Sequence, residues 1–331
     1  MQVFRSLDAI PPAFGKTVIA IGNFDGVHRG HQAIIEKVRA RARQLNAKSV
    51  AVTFDPHPVR LLRPDLAPKL ITPIETRLEL LAQTGLDATV VIPFTKEFSQ
   101  LSAHDFAAQI LVQSLHAAEV HEGETFRFGH GASAGTPELT QLGHELGFNV
   151  AAQSALKVRG IPVSSSEVRQ RIASGDMATA RALLGRVFSI RSTQVRERGV
   201  GTRLTVPTIN FAPYDELLPA GGVYITKLRI GTEIFEAVTN AGKRPTFGEL
   251  AYAIESHLVN IRTPDLERIE ITPETPLELW FLKRIREERK FPTPEALKEQ
   301  IMKDVAHAKR YFRLSRQKTN PTPGSRPHSS E

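Results

Sequence analysis

The chain has 331 residues, 41% of them hydrophobic and 24% charged, with a formal net charge of +8 and no cysteine. This length predicts two domains and this composition a soluble globular protein; the missing cysteines exclude disulfides and thiolate chemistry and leave a zinc site only His and carboxylate ligands. No apolar run approaches the ~18 residues of a membrane span, "MQVFRSLDAIPPAFGK" lacks the charged-then-apolar layout of a signal peptide, and the expected location is the cytoplasm.

From the N-terminus, strand-like apolar runs alternate with helical periods. Strands are predicted over 17–21, 49–54, 88–92, 118–122 and 148–152, and helices over 31–45, 74–85, 103–115 and 137–147. The alternation predicts an α/β domain: a parallel sheet with helices on both faces, and a ligand at the carboxyl ends of its strands. Residues 164–185 read as two short helices broken at Gly175 and Asp176, which closes a first domain at residue 186. From 187 the pattern turns to short strands, "VFSIRSTQV", "GVYITKLRI", "IFEAVTN", "AIESHLVNI" and "PLELWFLKRI". They predict a small antiparallel β-barrel. A terminal helix over 294–312, with Leu297, Ile301 and Val305 on one face, completes a second domain over 187–312. The polar, proline-rich stretch 313–331 is predicted to be a disordered basic tail. Lys309, Arg310, Arg313, Arg316, Lys318 and Arg326 close the chain against a single acid, Glu331, so the body is near charge balance. A nucleic-acid partner is therefore not expected.

Chemistry concentrates first in "AIGNFDGVHRGHQ", residues 20–32, where a strand ends and a helix begins. Gly22, Gly26 and Gly30 let backbone N–H groups approach a ligand, and the helix start favours an anion there. His28 and His31, three residues apart, fall on one side of the helix start. Two such donors can stabilise charge growing on a phosphate during displacement. The alternatives are a surface turn with unrelated histidines, or a metal site, for which i, i+4 spacing and a third ligand would be expected.

"GNFDGVHRGHQ" resembles the first motif of the bacterial bifunctional riboflavin kinase/FAD synthetase family, within the nucleotidylyltransferase superfamily and its His-x-Gly-His signature. The resemblance implies a Rossmann-like nucleotidylyltransferase domain over 1–186. In it Gly22, Asn23, Phe24, Asp25, Gly26 and Gly30 bind the nucleotide, and His28 and His31 are catalytic donors to its α-phosphate. The second superfamily motif is matched by "VSSSEVRQR", which implies nucleotide contacts for Ser164, Ser165 and Ser166 and a catalytic fork of donors from Arg169. The same serines also read as a helix cap with a Glu three residues on. "TFDPHP" (53–58) and "EGETFRFGHGASAG" (122–135) are similar to the flavin-side motifs, implying flavin contacts from Phe54, His57, Pro58, Thr125, Phe126 and Phe128. Aromatics at such strand ends read equally well as core. Thr125 stands where the family carries Asn or Asp.

In the second domain, Thr208 and Asn210 alternate in "GTRLTVPTINF" and would share a face if extended. A hydroxyl and an amide oxygen suit Mg²⁺ when ATP phosphates supply the remaining ligands; ordinary turn chemistry is the other reading. Glu255, inside a strand-like run, is either on a solvent face or a general base. These segments resemble a riboflavin kinase domain, with its Pro-Thr-Ala-Asn motif and Glu-x-His strand. The resemblance implies that Thr208 and Asn210 hold Mg²⁺ and phosphate, and that Glu255 takes the proton of the ribityl 5′-hydroxyl as it attacks the γ-phosphate. Ile209 replaces the usual Ala, "LTVPTIN" lacks the Gly-Phe before the proline, and "LWFLKRIREERKF" fits the family's last strand.

Together these resemblances imply phosphorylation of riboflavin to FMN and adenylylation of FMN to FAD with release of pyrophosphate, using ATP and Mg²⁺, with flavins as substrates and products. The implied partners are small molecules, with no obligate protein partner and no membrane; a homo-oligomer is left open. Two rival expectations are a riboflavin kinase whose adenylyltransferase half is weakened or redirected, prompted by Thr125, and a non-enzymatic flavin- or nucleic-acid-binding protein.

Overall fold

The structure is a computed structural model that describes residues 1–195, 208–246, 249–261 and 271–319. The chain divides into two units, residues 1–170 with 182–185, and residues 171–181 with 186–331. Among the described residues no helix is long and apolar enough to cross a membrane.

The first unit is built on strands β1 (Gln2–Phe4), β2 (Thr17–Ile21), β3 (Lys48–Asp55), β4 (Ala88–Pro93), β5 (Ala117–Gly123) and β8 (Asn149–Gln153). They form one parallel sheet in the order β1-β4-β3-β2-β5-β8. Two-stranded hairpins, β6 (Arg127–Phe128) with β7 (Ala134–Gly135) and β9 (Lys157–Val158) with β10 (Ile161–Pro162), lie outside it. Alternation along β2 feeds two cores. Ile19 and Ile21 join Val50, Val52, Leu111 and Phe128 on one face, while Val18 and Ala20 join Ala51, Ile35, Val38 and Leu81 on the other. The predicted α/β sheet is thus present, and β1 is an addition, too short to carry a period.

The helices are α1 (Arg29–Gln44), α2 (Pro58–Leu62), α3 (Ile74–Gln83), α4 (Ala103–Asp105), α5 (Thr136–Leu146), α6 (Ser165–Ala173) and α7 (Met177–Leu184). The helix predicted over 103–115 is regular only in α4; Phe106–Ser114 continues as a wide π-helix, in which the Leu115 N–H donates to the Ile110 carbonyl at 3.0 Å.

Strand order reverses between β2 and β5: from β2 the chain continues to β3 on one side, and from β5 to β8 on the other. The segments after β2 and β5 diverge there, which opens a crevice at the carboxyl edge.

The second unit holds β11 (Phe188–Ser192), β12 (Thr208–Asn210), β13 (Gly222–Ile230), β14 (Glu233–Thr246), β15 (Glu249–Leu258) and β16 (Leu277–Arg286), antiparallel in the order β11-β16-β13-β14-β15-β12. The outer edges meet. Gln194 bridges Phe211, the Ala212 N–H donates to the Thr193 carbonyl at 2.9 Å, and the Val195 N–H to that of Asn210 at 3.0 Å. The sheet curls into the predicted small barrel. Helix α8 (Pro294–Thr319) lays Val305, Ala308 and Phe312 on Val223, Ile225, Val238 and Val259. The Arg286 guanidinium fastens it by donating to Asp304 at 2.8 and 3.0 Å.

Two boundaries differ from expectation. Helix α8 runs to Thr319, so the first part of the stretch expected to be disordered is helical; Arg316 there pairs with Glu236 at 3.3 Å. Residues 171–181 group with the second unit instead of the first. The reason is close packing at Gly175, where a Cβ would lie 2.7 Å from Arg284 Cδ and 3.1 Å from the Tyr224 hydroxyl.

Candidate functional sites

The turn after β2 is wound tightly. Phe24, Gly26 and Val27 have φ of 46°, 83° and 37°, a left-handed run that non-glycine residues adopt only when held. Burial holds it, since Phe24 and Val27 are 2% and 1% exposed. The glycines here serve the protein's own packing. A Cβ on Gly26 would lie 3.0 Å from Ile71, and one on Gly30 would lie 3.2 Å from the His28 ring. A Cβ on Gly22 would make only ordinary contact with Phe24, 3.8 Å from its ring and 3.9 Å from its backbone nitrogen.

His28 caps α1, its Nδ1 accepting from the His31 N–H at 3.3 Å. An accepting Nδ1 leaves the proton on Nε2, the donor atom an anion would use. The two imidazoles stack with centroids 3.6 Å apart and planes within 15°, and His31 sits edge-on to Phe24 at 5.1 Å. The first turn of α1 carries no acidic residue, so the positive helix end is not neutralised locally. Beside it the Asn23 Oδ1 is buried with no hydrogen-bond partner.

Asp25, expected at the nucleotide, is held as an internal clamp. Only 1% exposed, its carboxylate accepts from the Ile71 and Thr72 N–H groups at 3.0 and 2.9 Å and from Arg169 Nη2 at 2.6 Å. Its carbonyl accepts from the Ser165 hydroxyl at 2.9 Å, and the Thr72 hydroxyl accepts from the Gly26 N–H at 2.9 Å. Arg169 is held by the same clamp, donating also to the Lys69 carbonyl at 3.0 Å. Ser164 caps α6 by accepting from the Glu167 N–H at 3.2 Å, and Ser166 is exposed. The histidine turn and the serine helix are therefore joined through residues 69–72, which the sequence did not single out.

On the segments expected at the flavin, His57 caps α2 and is buried, which pushes its pKa down to about 4; Asp25 opposes that shift, and Arg169, Arg77 and Arg60 reinforce it. Pro58 follows it, half-buried. Phe128 is a core residue, stacked on half-buried Phe126 at 5.5 Å, while Thr125 is exposed. Half-buried Phe54 touches Phe94 and Phe98 at 5.8 and 5.9 Å, and Phe98 continues through Phe106 to Phe128. Phe94 and Phe98 went unnoticed in the sequence, although they follow β4 at the same carboxyl edge.

In the barrel, β12 lies along β15 with Thr208 opposite His257 and Asn210 opposite Glu255. The Thr208 hydroxyl and His257 Nδ1 share a hydrogen bond of 2.8 Å. Asn240 of β14 faces Glu255 from the other side, so Asn210, Glu255 and Asn240 form one row. The Asn210 Oδ1 is buried with no hydrogen-bond partner. Ile209 turns into the opposite, buried face, where Thr226, Thr239 and Ser256 hydroxyls form a chain with 2.7 and 2.8 Å spacings. The part of "GTRLTVPTINF" over 201–207 lies outside the described residues.

The two units thus have the form of a nucleotide-binding α/β domain followed by a phosphoryl-transfer barrel. Residues 10–167 match the family model for FAD synthetase and residues 184–312 that for riboflavin kinase. A bifunctional riboflavin kinase/FMN adenylyltransferase of Escherichia coli (strain K12) is 32% identical over 300 residues, covering 90% of this chain and 94% of that one. One of Pseudomonas fluorescens is 33% identical, covering 93% and 97%. The fold is shared with a crystal structure of a macrolide-efflux protein from Streptococcus pneumoniae, with a TM-score of 0.81, 24% identity and 93% and 98% of the two chains covered. The chain belongs to the bifunctional riboflavin kinase/FMN adenylyltransferase family.

Proposed function

We propose that the chain carries out both reactions for which its family is named, one in each unit. In the barrel, riboflavin is phosphorylated by ATP to FMN; in the α/β unit, FMN attacks the α-phosphate of a second ATP, giving FAD and pyrophosphate. The observation that supports this division is that each matched region holds its own phosphate-handling constellation: stacked His28 and His31 at an unneutralised helix start, and the Asn210–Glu255 pair in the barrel.

In adenylyl transfer the imidazole N–H groups and the first-turn amides of α1 stabilise charge on the α-phosphate and its leaving pyrophosphate. Arg169 positions: its bond to Asp25 fixes the serine-bearing start of α6 against the histidine turn. Phe54, Pro58, Thr125 and Phe126 line the flavin side, with Phe128 beneath as support. In the kinase step Glu255 accepts the proton of the ribityl 5′-hydroxyl. A Mg²⁺ ion fits the donors present, because the buried Asn210 Oδ1 has no hydrogen-bond partner and lies two residues from Thr208 on the same face of β12. Bound with ATP, it would neutralise charge on the β- and γ-phosphates. The substrates are small molecules, and the use of ATP supports a cytoplasmic location.

The test is product separation after incubating the pure protein with riboflavin, ATP and Mg²⁺. FMN followed by FAD and pyrophosphate is expected. FMN alone would reduce the chain to a kinase, and neither product would overturn the reading.

A further inference from the structure

At the reversal point of the first sheet, the β2–β5 ladder stops at Ala20 opposite His121. The next N–H of β2 towards β5 is that of Ile21. It donates to Glu122 Oε1 at 2.5 Å, a bond formed across 101 residues of sequence. On the other side of β2 the Gly22 N–H returns to the ladder, donating to the Val52 carbonyl at 2.9 Å. Glu122 is 3% exposed, and it projects from the same side of β5 as Val120, a member of the core that contains Phe128. Ile21 leads directly into the Gly22–His28 turn, and Glu122 into Gly123 and the segment bearing Thr125, Phe126 and Phe128.

We propose that Glu122 is a positioning residue for adenylyl transfer: its carboxyl pins the last residue of β2, and with it the histidine turn, to the start of the flavin-side segment. An apolar side chain at 122 would pack in that core but would remove this side-chain bond where the two segments must hold a fixed spacing. Burial favours the uncharged carboxyl, opposed by the bond from Ile21. This inference rests on the assignment of the adenylyl-transfer site above.

The experiment compares full-length Glu122→Leu and Glu122→Gln with the wild type. Adenylyl transfer is measured with supplied FMN, riboflavin phosphorylation serves as the internal control, and amide exchange is followed at Ile21. For Glu122→Leu we expect kcat for adenylyl transfer to fall roughly tenfold or more, KM for ATP and FMN to stay within about threefold, and Ile21 exchange to accelerate. Glu122→Gln, whose amide oxygen accepts the same bond, should restore kcat to within about threefold and restore Ile21 protection. An unchanged kcat in Glu122→Leu, or a loss in Glu122→Gln equal to that in Glu122→Leu, would overturn the proposal. Should Glu122→Leu not fold, wild-type Ile21 exchange as fast as that of a surface loop would overturn it. Failure of the site assignment itself reads differently: His28 and His31 variants would then keep adenylyl transfer while Ile21 still depended on residue 122.

Discussion

Replacing Asp25 with alanine tests how the adenylyl-transfer site is held together. The carboxylate is 1% exposed and accepts from two backbone N–H groups and Arg169, whose side chain is itself only 17% exposed. Removing it strands a partly buried guanidinium and two buried amides. Breaking a buried pair from one side costs about 3–5 kcal/mol. For a unit of this size, 1 kcal/mol moves Tm by about 2–4 °C, so the first unit should melt roughly 6–20 °C earlier. Adenylyl transfer should fall at least tenfold even well below that transition, because α6 and residues 69–72 lose their common anchor. Riboflavin phosphorylation should persist at temperatures where the second unit is folded. Denaturant unfolding with fluorescence, alongside both activities, provides the assay. A variant within about 1 kcal/mol of wild type that still makes FAD would refute the clamp.

Three further outcomes are expected. Gly26→Ala forces an L residue to φ 83° and brings a Cβ to 3.0 Å from Ile71; adenylyl transfer should drop sharply with riboflavin phosphorylation intact, as steady-state assays of both would show. His57 resists protonation down to about pH 4, whereas the unfolded chain takes up the proton near 6.5. The unfolded state therefore binds more protons between these values, and the stability contributed above pH 6.5, about 3 kcal/mol at 1.36 kcal/mol per unit, is lost as pH falls towards 4. Glu122 acts with the opposite sign: its raised pKa means that it costs stability above the ordinary carboxylate range, so Glu122→Gln should raise Tm at pH 8 and leave it unchanged near pH 4. Denaturant titrations of wild type and His57→Gln at several pH values should show a flatter slope in the variant, and thermal melts at two pH values settle the Glu122 case.

The sheet and the histidine turn were legible because their signals are local. Alternating apolar runs mark buried strands, and three-residue spacing at a helix start put His28 and His31 on one side, where their rings stack. What escaped depends on partners remote in sequence. Asp25 turns inward because Ile71, Thr72 and Arg169, 46 to 144 residues away, supply donors that no short window contains. Asn240 matters through strand register, since it is opposite Glu255 only once β14 and β15 pair. The disordered-tail expectation failed over 313–319 because composition did not register Phe312 docking on the barrel, or Arg316 reaching Glu236 across 80 residues. The glycines of the turn were legible as necessary, but the neighbours that require them, Ile71 and the His28 ring, were not.

The division of labour between the two units is tested most directly by reciprocal variants assayed with separated products. Glu255→Ala should abolish FMN formation from riboflavin while still converting supplied FMN to FAD. The double change His28→Ala with His31→Ala should make FMN at the wild-type rate and no FAD. Loss of both activities from either change in a folded protein, or survival of the targeted one, would contradict the account.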